Sequence, residues 1–342
     1  MELCQISGPL GFKSGHLPRK YRNSVIRMTS TSDVKSQNRM FIAGMGFVGK
    51  ALALDLKNQG WGVSGTCTSI TKKKKLEGEM GFDMYLFDAN EPDVTTIEVM
   101  KYHTHLVVSI PPVPGIGDPM LQHQQLIRKA LLGGNLQWLC YLSSTSVYGD
   151  CGGAWVDEDY PPNPTREVGK LRLAAEEGWL DLGQSLGLST RVFRLGGIYG
   201  PGRSAVDTII KQEALSKSQR MRGYRQFTSR IHVEDIVQAI KGSICTSSSR
   251  EIYNIVDDDP APREAVFEYA RDLVDRKWPG WIKQSSEQEE STVIVKKDGL
   301  LGEKRVSNAC MKKELGIRLL HPSYKSGLQS ILDQMDKPFS TY

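Results

Sequence analysis

From Arg39 onward, short apolar runs alternate with amphipathic stretches of helical length, the pattern of repeated βα units feeding a parallel sheet. Six runs read as strands, at residues 40–43, 62–66, 84–87, 106–110, 138–142 and 190–195. Each is followed by turn residues, and helices are predicted over 48–58, 95–101, 119–132 and 168–186. Six such units exceed one mononucleotide-binding half and suit a complete doubly wound sheet with right-handed crossovers. Tyr199-Gly200-Pro201-Gly202 closes the last strand and hands the chain to a smaller lobe, from which Ile231 to Ala239 reads as a loop and helix returning to the sheet. The charged, Ser/Glu-rich stretch 285–297 reads as an exposed loop leading into a short Val-Ile-Val strand.

The first strand runs into Gly44-Met45-Gly46-Phe47-Val48-Gly49, a G-x-G-x-x-G turn continued by an Ala/Leu-rich helix. In that context Gly44 makes the tight turn, Gly46 lets a pyrophosphate approach the backbone and Gly49 lets the helix pack on the strand, with the helix N-terminus aimed at the phosphates. The expected fold is therefore α/β: a Rossmann-type doubly wound parallel sheet at 38–200 and a smaller C-terminal substrate lobe within 201–342, with 228–245 returning to the sheet.

An NAD site places Asp or Glu at the end of the second strand to hold the ribose hydroxyls. Here Thr66-Cys67-Thr68 stands there, with Lys72 to Lys75 following, so NADP is preferred and NAD remains open. The lysines read equally well as a solvated helix face, and the missing acid carries more weight. Ser109-Ile110-Pro111 ends the fourth strand on the ligand side of such a sheet, and Gly196 and Gly197 end the sixth. Asp88 after the third strand and Ser143 in the fifth complete the candidate cofactor-binding set.

Composition narrows the alternatives. The chain has 342 residues, 39% of them hydrophobic, and a formal charge of +5. That is enough to bury a substantial core and only a weak argument for nucleic acid; RNA binding through the lysine run ranks last. No apolar run approaches the roughly 20 residues of a membrane span. The six cysteines form no C-x-x-C pair, so neither a disulfide framework nor a metal site is expected. His103 and His105 have no completing ligand in the sequence and read as polar residues entering a strand. Residues 1–37 are basic, hydroxyl-rich and nearly free of acids, the composition of an organelle transit peptide, chloroplast favoured over mitochondrion, with an ordinary tail and a cytoplasmic protein as the alternative.

Leu142-Ser143-Ser144-Thr145-Ser146-Val147-Tyr148-Gly149 resembles the extended short-chain dehydrogenase/reductases, the nucleotide-sugar epimerases and dehydratases. So do Asp157 to Pro162, Arg194 to Arg203, Ile231 to Val237 and Tyr253-Asn254-Ile255. The resemblance implies that Ser144 hydrogen-bonds the substrate while a Tyr, its pKa lowered by a Lys four residues on, exchanges the proton. The Tyr is missing: Val168 or Arg166 stands at its place, and Arg172 or Lys170 at the place of the Lys. Valine has no proton to give, and arginine stays charged near neutrality. The combination is similar to the atypical members of that superfamily, as is the tail from Lys304 to Tyr324. Tyr148, Tyr160 and His232 are the other titratable candidates, each better read as structural. Two functions follow: an NADP-dependent oxidoreductase or epimerase-like enzyme of atypical mechanism on an unidentified small substrate, or a non-catalytic NAD(P)-binding sensor or scaffold. Extended family members often pair through helices, so a homodimer is open, though no exposed stripe marks one.

Overall fold

A computed structural model describes residues 38–88, 94–211, 226–282 and 303–338. The expected transit segment and the loop and strand at 285–297 lie outside the described residues. In chain order the elements are β1 (Arg39–Ala43), α1 (Phe47–Asn58), β2 (Gly62–Cys67), α2 (Ile70–Met80), β3 (Asp83–Leu86), α3 (Val94–Val99), β4 (His105–Val108), α4 (Gln124–Leu131), β5 (Trp138–Ser144), β6 (Trp155–Val156), α5 (Glu167–Ser185), β7 (Ser189–Leu195), β8 (Gly197–Tyr199), α6 (Ala205–Ile210), β9 (Arg230–His232) and β10 (Ile252–Ile255). β11 (Arg305–Val306) follows, and four further helices span Val233–Cys245, Arg263–Lys277, Ala309–Glu314 and Tyr324–Asp333.

Seven parallel strands form one sheet in the order β10-β7-β5-β4-β1-β2-β3. The strands are apolar without interruption because both faces are covered. In β1, Met40 and Ile42 enter one core with Leu52 and Leu56 of α1, while Phe41 and Ala43 enter the opposite core with Leu139 and Trp179. Ile236, Val237 and Ile240 of helix Val233–Cys245 share the first core. A second lobe has its own core, in which Val206 and Ile210 meet Val266, Ala270 and Leu273 from one helix and Leu328 and Ile331 from another.

Several boundaries differ from the sequence reading, each for a local reason. The sheet has a seventh strand, β10, paired in register with β7. Beyond residue 201, β10 and Met311 also belong to the sheet body, and the lobe core joins residues from α6 and the helices Arg263–Lys277 and Tyr324–Asp333. The helix expected from 119 begins instead as a tight turn at Leu121–His123, because the Asp118 carboxylate accepts the N–H groups of Met120 and Leu121 at 2.9 and 3.1 Å. The fourth strand stops at Val108, although the Ser109 N–H still donates to Ala43 at 2.8 Å before the prolines. His103 is buried between the Val99 carbonyl and the Ser64 hydroxyl, each 3.0 Å from a ring nitrogen, a structural polar residue as expected. Among the described residues the cysteines are free, and no helix is long and apolar enough to cross a membrane.

Candidate active site

The switch point of the sheet lies where β1 sits between β2 and β4, and the glycine turn leaves β1 there. Gly44 has φ +98°, and a Cβ on it would lie 3.0 Å from the Ile110 side chain and 3.2 Å from the Ile110 nitrogen. Gly49 is confined in the same way, with a Cβ placed 2.7 Å from the Gly44 carbonyl. Gly46 differs: its backbone is extended, and the nearest atom to an added Cβ would be the Gly44 oxygen at 4.0 Å. Gly46 also caps α1 without any side-chain acceptor, and the first turn of the helix contains no acid. The unsatisfied N–H groups and the positive end of the helix therefore face that opening. Such a cradle fits a dinucleotide pyrophosphate, and its amides would hold one.

The flanking candidates divide into scaffold and rim. Thr66 holds the turn, its hydroxyl accepting the Gly44 N–H and its carbonyl accepting the Met45 N–H, both at 2.8 Å. Met45, Val48 and the Cys67 thiol are buried in the sheet core. Phe47 stays half-buried, with the Arg203 guanidinium 5.3 Å from its ring centre. Thr68 is exposed at the β2 exit, and Ser69 caps α2 by accepting the Lys72 N–H at 3.2 Å. Within the lysine run, Lys73 and Lys75 reach Glu77 and Glu79 one turn on, at 3.6 and 3.8 Å, in keeping with a solvated face. Asp88 is exposed just past β3, and Pro111 is exposed after β4. Gly197 is exposed, whereas Gly196 is pressed on the next strand, where a Cβ would lie 3.0 Å from the Ser229 carbonyl.

At the end of β5 the two serines part. Ser143 is buried and donates to Glu176 of α5 at 2.5 Å, so its hydroxyl is turned into the protein. Ser144 ends the strand half-buried, its oxygen accepting the Ser146 N–H at 3.2 Å. The start of α5 lies against this turn, a Cβ on Gly169 falling 3.1 Å from the Ser146 carbonyl. Val168 is 52% exposed there, so no phenol enters from the position where the superfamily keeps one. Lys170 is exposed, and Arg172 donates to the Leu142 carbonyl at 2.9 Å rather than toward Ser144.

Sequence reasoning did not find the buried polar network beneath this edge. Ser143, Arg194 and Asn254 are in register across β5, β7 and β10. Arg194 donates to Glu176 through Nε and Nη2, the latter at 2.8 Å, and through Nη1 to the Tyr148 oxygen at 3.0 Å. The Tyr148 hydroxyl in turn donates to Asn254 at 2.8 Å. Burial pushes the Tyr148 phenol above its ordinary value, with Arg194 opposing, so it is neither accessible nor activated. Tyr160 stands edge-on to it at 6.4 Å, and its side chain is part of the same packing. The one clue in the sequence was a pair of arginines, Arg191 and Arg194, inside a strand that is otherwise apolar only at Val192, Phe193 and Leu195. His232 is buried at the cap of helix Val233–Cys245, and burial together with His321 lowers its pKa to about 4.

A cavity of about 400 Å³ opens in the lobe between β8, α6 and the helices Arg263–Lys277 and Tyr324–Asp333. Arg203, Lys211, Arg230 and Arg263 line it, against Asp207 as the acid. Arg230 is held by the Thr228 and Ala261 carbonyls at 2.9 and 2.8 Å. This basic lining was also missed, since its residues come from separated segments.

The family model described as the NAD dependent epimerase/dehydratase family matches residues 40–255, more than half of the chain. Protein YeeZ of Escherichia coli (strain K12) is 30% identical over 223 residues, 64% of this chain and 77% of YeeZ. A solved, functionally unknown conserved protein from Silicibacter pomeroyi superposes with TM-score 0.64 at 30% identity, covering 88% of this chain and 100% of its own. UDP-glucuronic acid 4-epimerase from Bacillus cereus, in complex with NAD, shares the fold at TM-score 0.64 and 17% identity, with 86% and 96% covered. With the glycine cradle at the switch point and the Ser144 edge beside it, the chain belongs to the NAD-dependent epimerase/dehydratase family and is an NAD(P)-binding, epimerase-like protein.

Proposed function

We propose that the protein is an NADP(H)-dependent oxidoreductase or epimerase-like enzyme of atypical mechanism, acting on a small anionic substrate. Gly46 carries the reading. Gly44 and Gly49 are each explained by a close contact within the chain, but a Cβ at 46 would come no nearer to the protein than the Gly44 oxygen at 4.0 Å, so the space it leaves suits a ligand phosphate. NADP is preferred because no carboxylate stands at the β2 exit to repel a 2′-phosphate, while the exposed Thr68, the N-terminus of α2 and Lys72 are there to receive one. The basic cavity supports an anionic substrate.

When bound, the nicotinamide supplies the hydride acceptor or donor. Ser144, its oxygen already taken up by the Ser146 N–H, offers its own hydrogen to a substrate oxygen. Water takes the proton-transfer role that a phenol at 168 would hold. In the full-length protein, NADPH should bind at least tenfold more tightly than NADH, and some phosphorylated or carboxylated carbonyl or alcohol should change the nicotinamide absorbance. Equal affinities would remove the cofactor preference. Tight NADPH binding with no turnover across such a panel would favour a second reading, a non-catalytic sensor, which Val168 in place of the phenol supports. That reading requires partner capture from an extract to change with NADPH.

The composition of residues 1–37 supports a chloroplast location. Fusing them to a reporter and testing uptake by isolated chloroplasts and mitochondria separates the two organelles.

A further inference from the structure

At the end of β9, two histidines and a glutamate converge from two segments distant in sequence. His232 precedes helix Val233–Cys245, Glu234 lies in its first turn, and His321 arrives 87 residues after Glu234. The Glu234 carboxylate oxygen lies 2.8 Å from His321 Nε2 and 3.7 Å from His232 Nδ1, and the three donor atoms all fall within 4.8 Å of one another. The imidazole rings are tilted at 3.9 Å between centres, and both are buried.

We propose that His232, Glu234 and His321 bind one divalent transition-metal ion of the zinc type. Tetrahedral ligands at about 2.0–2.1 Å from zinc stand roughly 3.3 Å apart, and the two short separations bracket that value. The two imidazole nitrogens lie within 4.8 Å of each other, so closing the site draws them together by at most about 1.5 Å, shared between two side chains. Two imidazoles and one carboxylate suit zinc, cobalt or nickel better than magnesium or calcium, which take oxygen ligands.

The alternative occupant is a single proton between His321 and Glu234. That satisfies one imidazole and leaves His232 Nδ1 with only a weak 3.3 Å contact to the Glu234 N–H, whereas a metal ion uses the lone pairs of both rings. The His321 side is supported as metal ligands are, while the other ring nitrogen of His232, Nε2, is buried without a hydrogen-bond partner among the described residues. Asp235 accepts the Leu320 and His321 N–H groups at 2.7 and 3.1 Å, fixing the segment that delivers His321, and Tyr199 stands edge-on to His232 at 5.1 Å. Glu234 is 45% exposed, giving the ion an entry path and room for water as a further ligand. Occupied, the site ties the segment leading to the lobe helix Tyr324–Asp333 to the helix Val233–Cys245 that packs on the sheet.

The test uses the full-length protein, stripped with a chelator and then titrated with zinc or cobalt(II) chloride. One ion per chain is expected, with a rise in Tm and, for cobalt, visible bands of a tetrahedral nitrogen and oxygen site. Glu234→Gln and His321→Asn should each lower zinc affinity at least tenfold and abolish the Tm rise. Because Glu234 is half exposed, its variant keeps the question open to measurement even if His321→Asn fails to fold. Wild-type protein that takes up neither ion, variants that bind as wild type does, or a cobalt spectrum dominated by thiolate charge transfer would each overturn the proposal.

Discussion

Gly44 and Gly46 stand two residues apart and fail differently when given a methyl group. At Gly44 the backbone is left-handed and the Cβ would press on Ile110, so Gly44→Ala should cost about 1–3 kcal/mol of stability along with cofactor binding. At Gly46 the backbone is extended and the protein leaves room, so Gly46→Ala should fold with Tm within a few degrees of wild type and lose NADPH affinity at least tenfold. Thermal unfolding beside a fluorescence titration separates the two, and an unaltered affinity in Gly46→Ala would remove the main support for the cradle. Tyr148 offers a second contrast. Tyr148→Phe strips a partner from both Arg194 and Asn254 and should cost about 1–3 kcal/mol by denaturant unfolding. Glu176→Gln leaves Arg194 without a countercharge and should cost more, about 3–5 kcal/mol. Neither residue reaches the surface, so NADPH affinity should stay within about threefold in whatever folded fraction remains. A turnover defect without a stability loss in Tyr148→Phe would instead make that phenol catalytic.

At the scale of elements, the exit of β2 into α2 sets the cofactor preference. Thr68→Asp restores a carboxylate beside the ribose, and it should weaken NADPH at least tenfold while leaving NADH unchanged or tighter, read from paired binding titrations. Ser69 caps the same helix, and Ser69→Ala should cost about 1 kcal/mol without selecting between the cofactors. These elements were legible because their signals are local: a run such as Met40 to Ala43 buries both of its faces, and a glycine turn must follow it. β10 was not legible, since four residues, Ile252 to Ile255, follow a polar Thr/Ser/Arg stretch and become a strand only by pairing with β7. The fourth helix was misplaced because the Asp118 carboxylate competes for the first N–H groups, a contact that periodicity does not register. The site divides along the same line. The cradle lies within six consecutive residues, whereas the Arg194 network and the basic cavity join side chains from elements far apart in the chain.

Across the whole molecule, the sheet body and the lobe meet around Arg230, whose guanidinium holds the Thr228 and Ala261 carbonyls and lies 5.6 Å from the centre of the Tyr324 ring. Asp257 is 1% exposed, and its own N–H donates to the Arg230 carbonyl at 2.6 Å. Burial lifts the Asp257 carboxyl well above its ordinary range despite the arginine, and burial lowers Arg230 despite the carboxylate. Both directions say that desolvation outweighs the mutual attraction at this junction. Because its folded pKa lies above the reference value of 3.8, Asp257 contributes stability that is complete below that value and is lost as the pH rises through the folded one. Asp257→Asn keeps the shape and removes the ionisation. The variant and the wild type should therefore differ least near the reference carboxyl value, and the difference should grow in the variant's favour with rising pH by at most about 1.4 kcal/mol per unit. Denaturant unfolding of both proteins across that range measures it. A variant that is instead weaker at neutral pH by several kcal/mol would mean that an ionised Asp257 is paired with Arg230, and that the junction between lobe and sheet is held by a buried ion pair.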